Sequence, residues 1–214
     1  MTIEYLGHSC FKLTESTGTA VVCDPYSDEV GYSMPEVSAD AVTVSHHHFD
    51  HDCVSKVKGS PLVIDKESCH ELTGVEITSV KSFHDGNRGK KRGENVIFKF
   101  RMDGIDVCHL GDLGEKCSLD LIETILPVNV LLIPVGGNYT IDAEMAKEYV
   151  DRIMPEIVIP MHYRTRDCEL DIDKVDEFLK LFDDECVEEL DSDCIELSRS
   201  DLGEETRVIV LRRG

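Results

Sequence analysis

Residues 41–51 read Ala41-Val42-Thr43-Val44-Ser45-His46-His47-His48-Phe49-Asp50-His51. A short apolar, β-branched run over 41–44 predicts a buried strand. It stops at Ser45, and four histidines and one aspartate follow within six positions, out of nine histidines in the chain. Imidazole and carboxylate are ligands for Zn, Mn or Fe. A surface polar cluster is the plainer reading, but the HxHxDH spacing directly after a strand favours a metal-binding loop.

One loop cannot enclose a metal alone, so further ligands must come from other elements. His84 stands in SFHDG after a predicted strand over Val75–Val80. Asp112 stands in HLGD after a strand over Ile105–Cys108, and His162 stands in PMHY after a strand over Ile157–Ile159. Each alone reads as a satisfied polar residue. Together with the cluster they read as ligands, because loops at strand ends collect into a site.

The rest of the chain supports many strands and few helices. Short apolar runs occur at Ile3–Leu6, Phe11–Leu13, Ala20–Cys23 and Leu62–Ile64, and Val96–Phe100 alternates as a half-buried strand does. Later, Leu119, Ile122, Ile125 and Leu126 have helical spacing, and Val130–Val135 reads as a buried strand. A helix over Ala143–Met154 is expected between an Asp142 cap and Pro155. Ile172, Val175, Phe178, Leu179 and Phe182 predict a second long helix, and Val208–Leu211 a final strand. The architecture is mixed α/β (α+β), read as one domain over residues 1–214 without linkers or repeats.

These motifs, HxHxDH at 46–51, a later His, a Gly-Asp pair and a final His, resemble the five-part pattern of the metallo-β-lactamase superfamily across nearly the whole chain. The opening YLGHSCF, the Asp24-Pro25 pair and the strings IPVGGNYT and IPMHY resemble the branch of ascorbate-6-phosphate lactonase and related small metal-dependent hydrolases. The resemblance implies a four-layer αββα sandwich with metals at one rim. It implies two divalent ions, Zn or Mn: His46, His48 and His84 on one, Asp50, His51 and His162 on the other, and Asp112 on both. The full ligand set speaks against a metal-free relative and against a mono-iron dioxygenase. It also implies that His47 is not a ligand, while His70, in a polar stretch, reads as surface. His109 either orients Asp112 or is simply buried, and His8 either approaches the site or shapes a turn. The resemblance is compatible with self-association.

The implied chemistry is hydrolysis: water ionised between two ions attacks carbonyl carbon or phosphorus, with Asp50 as the catalytic carboxylate that orients it. No organic cofactor is needed, and neither GxGxxG nor GxxxxGK[ST] occurs. Arg88, Lys90, Lys91 and Arg92 form a basic loop just after His84. It reads either as a solvated hairpin or as a clamp for an anionic substrate. Tyr139, after Gly136-Gly137, either lines the pocket or packs.

Composition narrows the partners. The formal net charge is −21, from 22 bases and 43 acids. Such a surface repels nucleic-acid phosphates and anionic membranes, so a small-molecule substrate is expected over a nucleic-acid one. Residues 167–205 hold 17 acids against 3 bases and read as a solvated face. No run of about 18 apolar residues is present, and MTIEYLGHSC lacks the basic and apolar regions of a signal peptide, so a cytoplasmic location is expected. The nine cysteines contain no CxxC and read as reduced fillers. The leading expectation is a dinuclear hydrolase of a small anionic ester, lactone or phosphodiester. The rivals are a nucleic-acid phosphodiesterase or nuclease, and a non-catalytic metal-binding sensor or scaffold.

Overall fold

The computed structural model describes residues 1–213. Two sheets face one another. The first has six strands, in the spatial order Cys194–Glu196, Thr2–Gly7, Cys10–Thr14, Ala20–Cys23, Ala41–Thr43 and Leu62–Ile64. The second has eight, in the order Val187–Glu189, Arg207–Val210, Ile157–Met161, Val130–Pro134, Ile105–His109, Glu94–Met102, Val75–Phe83 and Cys69–Leu72.

Period-two alternation decides which side chains fill the space between the sheets. Val21 and Cys23 point into it, as do Phe98, Phe100, Val130, Leu132, Ile157 and Ile159. Each fully buried Phe or Leu contributes about 1.5–3 kcal/mol over leaving it exposed. The intervening residues face outward. Ile97, Leu131, Ile133 and Val158 pack under the helices α1 (Leu119–Ile125) and α2 (Ala143–Ile153). Val22 and Val42 pack under a cover containing Tyr26, Val30 and Tyr32. On this side the outer layer is loop and a 3₁₀ turn, Asp28–Val30.

The α2 boundaries follow from the sequence. Asp142 accepts from the Met145 backbone N–H at 2.9 Å, and Met154 at φ 52° closes the helix before Pro155. Ala146, Tyr149, Val150 and Ile153 form its buried face.

The second long helix expected over 172–182 is not formed; α3 spans only Asp176–Leu179. Upstream backbone groups are already engaged elsewhere. Asp173 donates its N–H to Gly136 O at 2.7 Å, and its carbonyl accepts from Arg164 N–H at 2.7 Å. Downstream, Leu181 and Phe182 donate to residues three back instead of four. The acid-rich stretch also does more than present a charged face, since Val187–Glu189 and Cys194–Glu196 are edge strands of the two sheets. Among the described residues all nine cysteines are free, with Cys10, Cys23 and Cys108 buried and Cys69 and Cys194 exposed. No described helix is long and apolar enough to cross a membrane.

Candidate metal centre

Five strands end at one rim, and each hands over directly to polar residues. Ala20–Cys23 leads to Asp24, Ala41–Thr43 to Ser45 and the histidine loop, Val75–Phe83 to His84, Ile105–His109 to Asp112, and Ile157–Met161 to His162. Close packing forces special backbone there. Gly111 has φ 56°, and a Cβ on it would lie 2.4 Å from Asn95 Oδ1. Asp24 at φ 47° and His162 at φ 52° are left-handed although neither is glycine, a conformation costing roughly 1–2 kcal/mol per residue.

The expected ligands converge. Ligand atoms of His46, His48 and His84 lie within 4.8 Å of one another; so do those of Asp50, His51 and His162, with His8 beside them. Asp112 stands between the groups. Its Oδ2 is 3.3 Å from His84 Nε2 and 3.2 Å from His162 Nε2, and its Oδ1 is 3.1 Å from His51 Nε2. Nitrogen ligands about 2.0–2.1 Å from a tetrahedral ion are separated by roughly 3.4 Å, so these spacings fit a shared cation. The nitrogens are also left waiting: among the described residues His46 Nε2, His51 Nε2, His162 Nε2 and Asp112 Oδ1 are buried without a hydrogen-bond partner. Buried polar atoms are normally satisfied, and a metal ion would satisfy these.

Tautomers can be read from the surrounding acceptors. His51 Nδ1 lies 2.9 Å from Asp24 Oδ2, a carboxylate that can only accept, so Nδ1 keeps its proton and Nε2 is the nitrogen that would give up its own to an incoming ion. Ser45 Oγ donates to Asp24 Oδ2 at 2.6 Å, and His46 Nδ1 lies 3.0 Å from Ser45 Oγ. The hydroxyl proton is thus used on Asp24, so Ser45 Oγ accepts from His46 Nδ1–H and His46 Nε2 is free to ligate. Asp24 therefore sets one histidine in each group. Asn95 holds the third element: its Oδ1 accepts from Asp112 N–H at 2.9 Å, and its Nδ2 donates to Ser82 Oγ and Leu110 O.

Burial pushes His46 down to about 2 and lowers His84, so both stay neutral, as ligation requires. Burial opposes charge on His51 too, but Asp112 and Asp50 outweigh it and hold its pKa well above the usual range. Burial likewise disfavours the Asp112 carboxylate, yet His162 and His51 keep its pKa well below normal. A site this rich in mutually compensating charges is a functional candidate.

A cavity of about 440 Å³ opens over the cluster, lined among others by His48, Asp50, His84, Lys91, Arg92 and Tyr139. The Arg92 guanidinium stacks over the Tyr139 ring at 5.5 Å. Arg88 and Lys90, also expected beside the substrate, are exposed and do not line this cavity. Arg88 instead lies where its charge acts on Glu115. The loop is ordered by Asp85, whose carboxylate accepts from the backbone N–H groups of Asn87, Gly89, Lys91 and Arg92 at 2.7–3.1 Å. Burial works against the Asp85 charge, but these four donors, Arg92 and Lys91 foremost, bring its pKa down to about 2.

The remaining histidines separate clearly. His47 is exposed and faces Asp52 and Asp65. His70 lies on the edge strand Cys69–Leu72. His109 is buried, with Nε2 at 2.8 Å from Ser9 O and Nδ1 accepting from Gly111 N–H, so it braces the turn that carries Asp112. Sequence reasoning missed Asp24, Ser45, Asp85 and Asn95 as site residues. Asp24 and Asp85 had a signal, since each is a carboxylate just past a strand end; Asn95 had none.

The model of the Beta-lactamase superfamily domain matches residues 2–162. A UPF0173 metal-dependent hydrolase of Carboxydothermus hydrogenoformans is 29% identical over 195 residues, covering 77% of this chain and 85% of its own. One from Methanospirillum hungatei is 30% identical, covering 78% and 84%. Among solved structures, a Thermotoga maritima protein assigned as a zinc-dependent hydrolase of the metallo-β-lactamase superfamily is 39% identical, with a TM-score of 0.81 over 98% of this chain and 97% of its own. With the sandwich, the rim of histidines and these relatives in agreement, the chain belongs to the metallo-β-lactamase superfamily and is a metal-dependent hydrolase.

Proposed function

We propose that this enzyme holds two divalent ions, Zn or Mn, and hydrolyses a small anionic ester, lactone or phosphodiester. The observation carrying the proposal is the position of Asp112 between two histidine groups, with one carboxylate reaching His84 and His162 through Oδ2 and His51 through Oδ1. His46, His48 and His84 would hold one ion and Asp50, His51 and His162 the other. When bound, the ions supply an ionised water near neutral pH and Lewis-acid polarisation of the scissile group.

The protein's own groups do the rest. Asp50, on the cavity wall, is the carboxylate placed to orient the attacking water. Asp24 and Ser45 keep His51 and His46 in the tautomers that ligate. Lys91 and Arg92 give the cavity its anion preference, and Tyr139 holds Arg92 in place. The whole chain acts as one domain, since its C-terminal strands complete both sheets.

The test combines elemental analysis after reconstitution with turnover of a neutral ester, a lactone and bis-p-nitrophenyl phosphate. Two ions per chain and metal-dependent turnover are expected. A stoichiometry that stays at one in excess metal would remove the dinuclear reading, and binding of two ions without turnover of any substrate class would favour a sensor.

A further inference from the structure

His8 sits in the turn between the first two strands, Thr2–Gly7 and Cys10–Thr14, at φ 54° and with no exposure. The turn is bound to the site twice. Its main chain meets a ligand candidate, as the His8 carbonyl accepts from His162 N–H at 3.0 Å and from the Tyr5 hydroxyl at 3.2 Å. Its side chain meets another, with Nε2 3.2 Å from Asp50 Oδ2. The His8 ring is 4.3 Å from the His162 ring and 5.3 Å from that of His51.

Proximity alone would let His8 be one more ligand of the second ion, because its ligand atom falls in the same group as those of Asp50, His51 and His162. The hydrogen-bond inventory decides otherwise. His8 Nε2 stands in hydrogen-bond geometry with Asp50 Oδ2, whereas Nε2 of His46, His51 and His162 is buried without a partner among the described residues and so is left for an ion. The unpartnered Nδ1 is common to His8, His84 and His162 and decides nothing. With the proton on Nε2, Asp50 accepts it in a charge-assisted bond, and only a ring lone pair is left unpaired. His51 and His46 show the opposite arrangement, each with an acceptor behind Nδ1.

We propose that His8 is a positioning residue that donates from Nε2 to Asp50 Oδ2, fixes the orientation of that carboxylate and stands outside the coordination shell. The inference rests on Asp50 serving the second ion. Its consequence is that the strained turn of the opening LGHSC segment exists to deliver one donor to Asp50.

Two amide replacements test this. The Nε2 of glutamine overlays His Nε2, whereas the amide nitrogen of asparagine overlays Nδ1 and falls short of Asp50. Asparagine tolerates a left-handed backbone better than most residues, so a role confined to the turn predicts that His8→Asn outperforms His8→Gln. The positioning role predicts the reverse. The readouts are calorimetric affinities for Zn and for Mn alone, Co(II) absorption spectra, thermal unfolding of the metal-free variants, and kcat and KM. We expect both variants to retain two ions and the wild-type Co(II) spectrum. His8→Asn should bind the second ion and turn over roughly 10- to 100-fold less well, chiefly in kcat, with His8→Gln recovering most of the loss. A Co(II) spectrum showing one fewer nitrogen in both variants would make His8 a ligand. Equal affinities in all three proteins, or a ranking that follows the stability of the metal-free protein, would overturn the proposal. If the wild-type chain binds two ions without turnover, the proposed function fails while the affinities still judge His8.

Discussion

Asp24 Oδ2 lies 2.9 Å from His51 Nδ1, and neither residue is exposed to solvent. Through Ser45 the same carboxylate reaches His46, so one buried acid governs a histidine in each half of the centre. Asp24→Asn keeps size and tolerates φ 47°, but offers one acceptor oxygen in place of two and carries no charge. It should weaken metal binding or activity roughly 10- to 100-fold while the metal-free protein still folds. Metal titration checks this, and wild-type affinity in the variant would show that the tautomers are set otherwise.

Gly136 packs against the backbone of His162, where an added Cβ would sit 2.1 Å from the His162 carbonyl oxygen. Backbone cannot step aside as a flexible side chain can. Gly136→Ala should therefore cost about 1–3 kcal/mol, or roughly 2–4 °C in Tm per kcal/mol for a chain of this length. It should also displace His162, so the second ion should bind less tightly while the His46, His48 and His84 group stays occupied. Calorimetry with and without metal separates the two effects.

The basic loop divides by geometry. Arg92→Gln should raise KM for an anionic substrate, spare a matched neutral ester and lose its effect with added salt, since exposed charges are screened within about 8 Å at physiological ionic strength. Arg88→Gln should change neither, because Arg88 does not line the cavity. Matched kcat/KM values for both variants and both substrates are the measurement. An equal loss with Arg88→Gln would mean that the loop acts as a diffuse charge.

Metal-free protein should lose stability as pH falls from 6.5 to 4. Burial pushes His8 down to about 4 and His46 to about 2, and lowers His84 and His109. The unfolded chain protonates these near 6.5 and the folded chain does not, so their contribution is complete above 6.5 and shrinks below it. His51 has the opposite shift; its contribution is constant below 6.5 and is lost as pH rises through its raised value. The window from 6.5 to 4 thus belongs to the neutral histidines. Thermal unfolding after chelation should give a lower Tm at pH 5 than at pH 6.5, and equal values would contradict this assignment.

Local pattern carried the strands with apolar runs, helix α2 with its Asp142 cap and Pro155 stop, and the histidines and aspartates past strand ends from which the family resemblance drew seven metal-ligating candidates. Those depend on periodicity and on residue types that water-exposed loops seldom concentrate. The edge strands at 187–189 and 194–196 had no such signal, because polar edges pair through backbone groups that every residue carries. The helix over 172–182 failed although its apolar spacing was correct. Tertiary hydrogen bonds, from Asp173 N–H to Gly136 O and from Arg164 N–H to Asp173 O, override the local preference. The sequence by itself determined which chemistry the rim could hold. Only the tertiary structure decided that Asp24 and Asn95 brace the two ligand groups, that Arg92 faces the cavity while Arg88 does not, and that His8 meets Asp50. Those relationships join residues far apart in the chain, 42 positions in the case of His8 and Asp50, and distance along a chain says nothing about distance across two packed sheets.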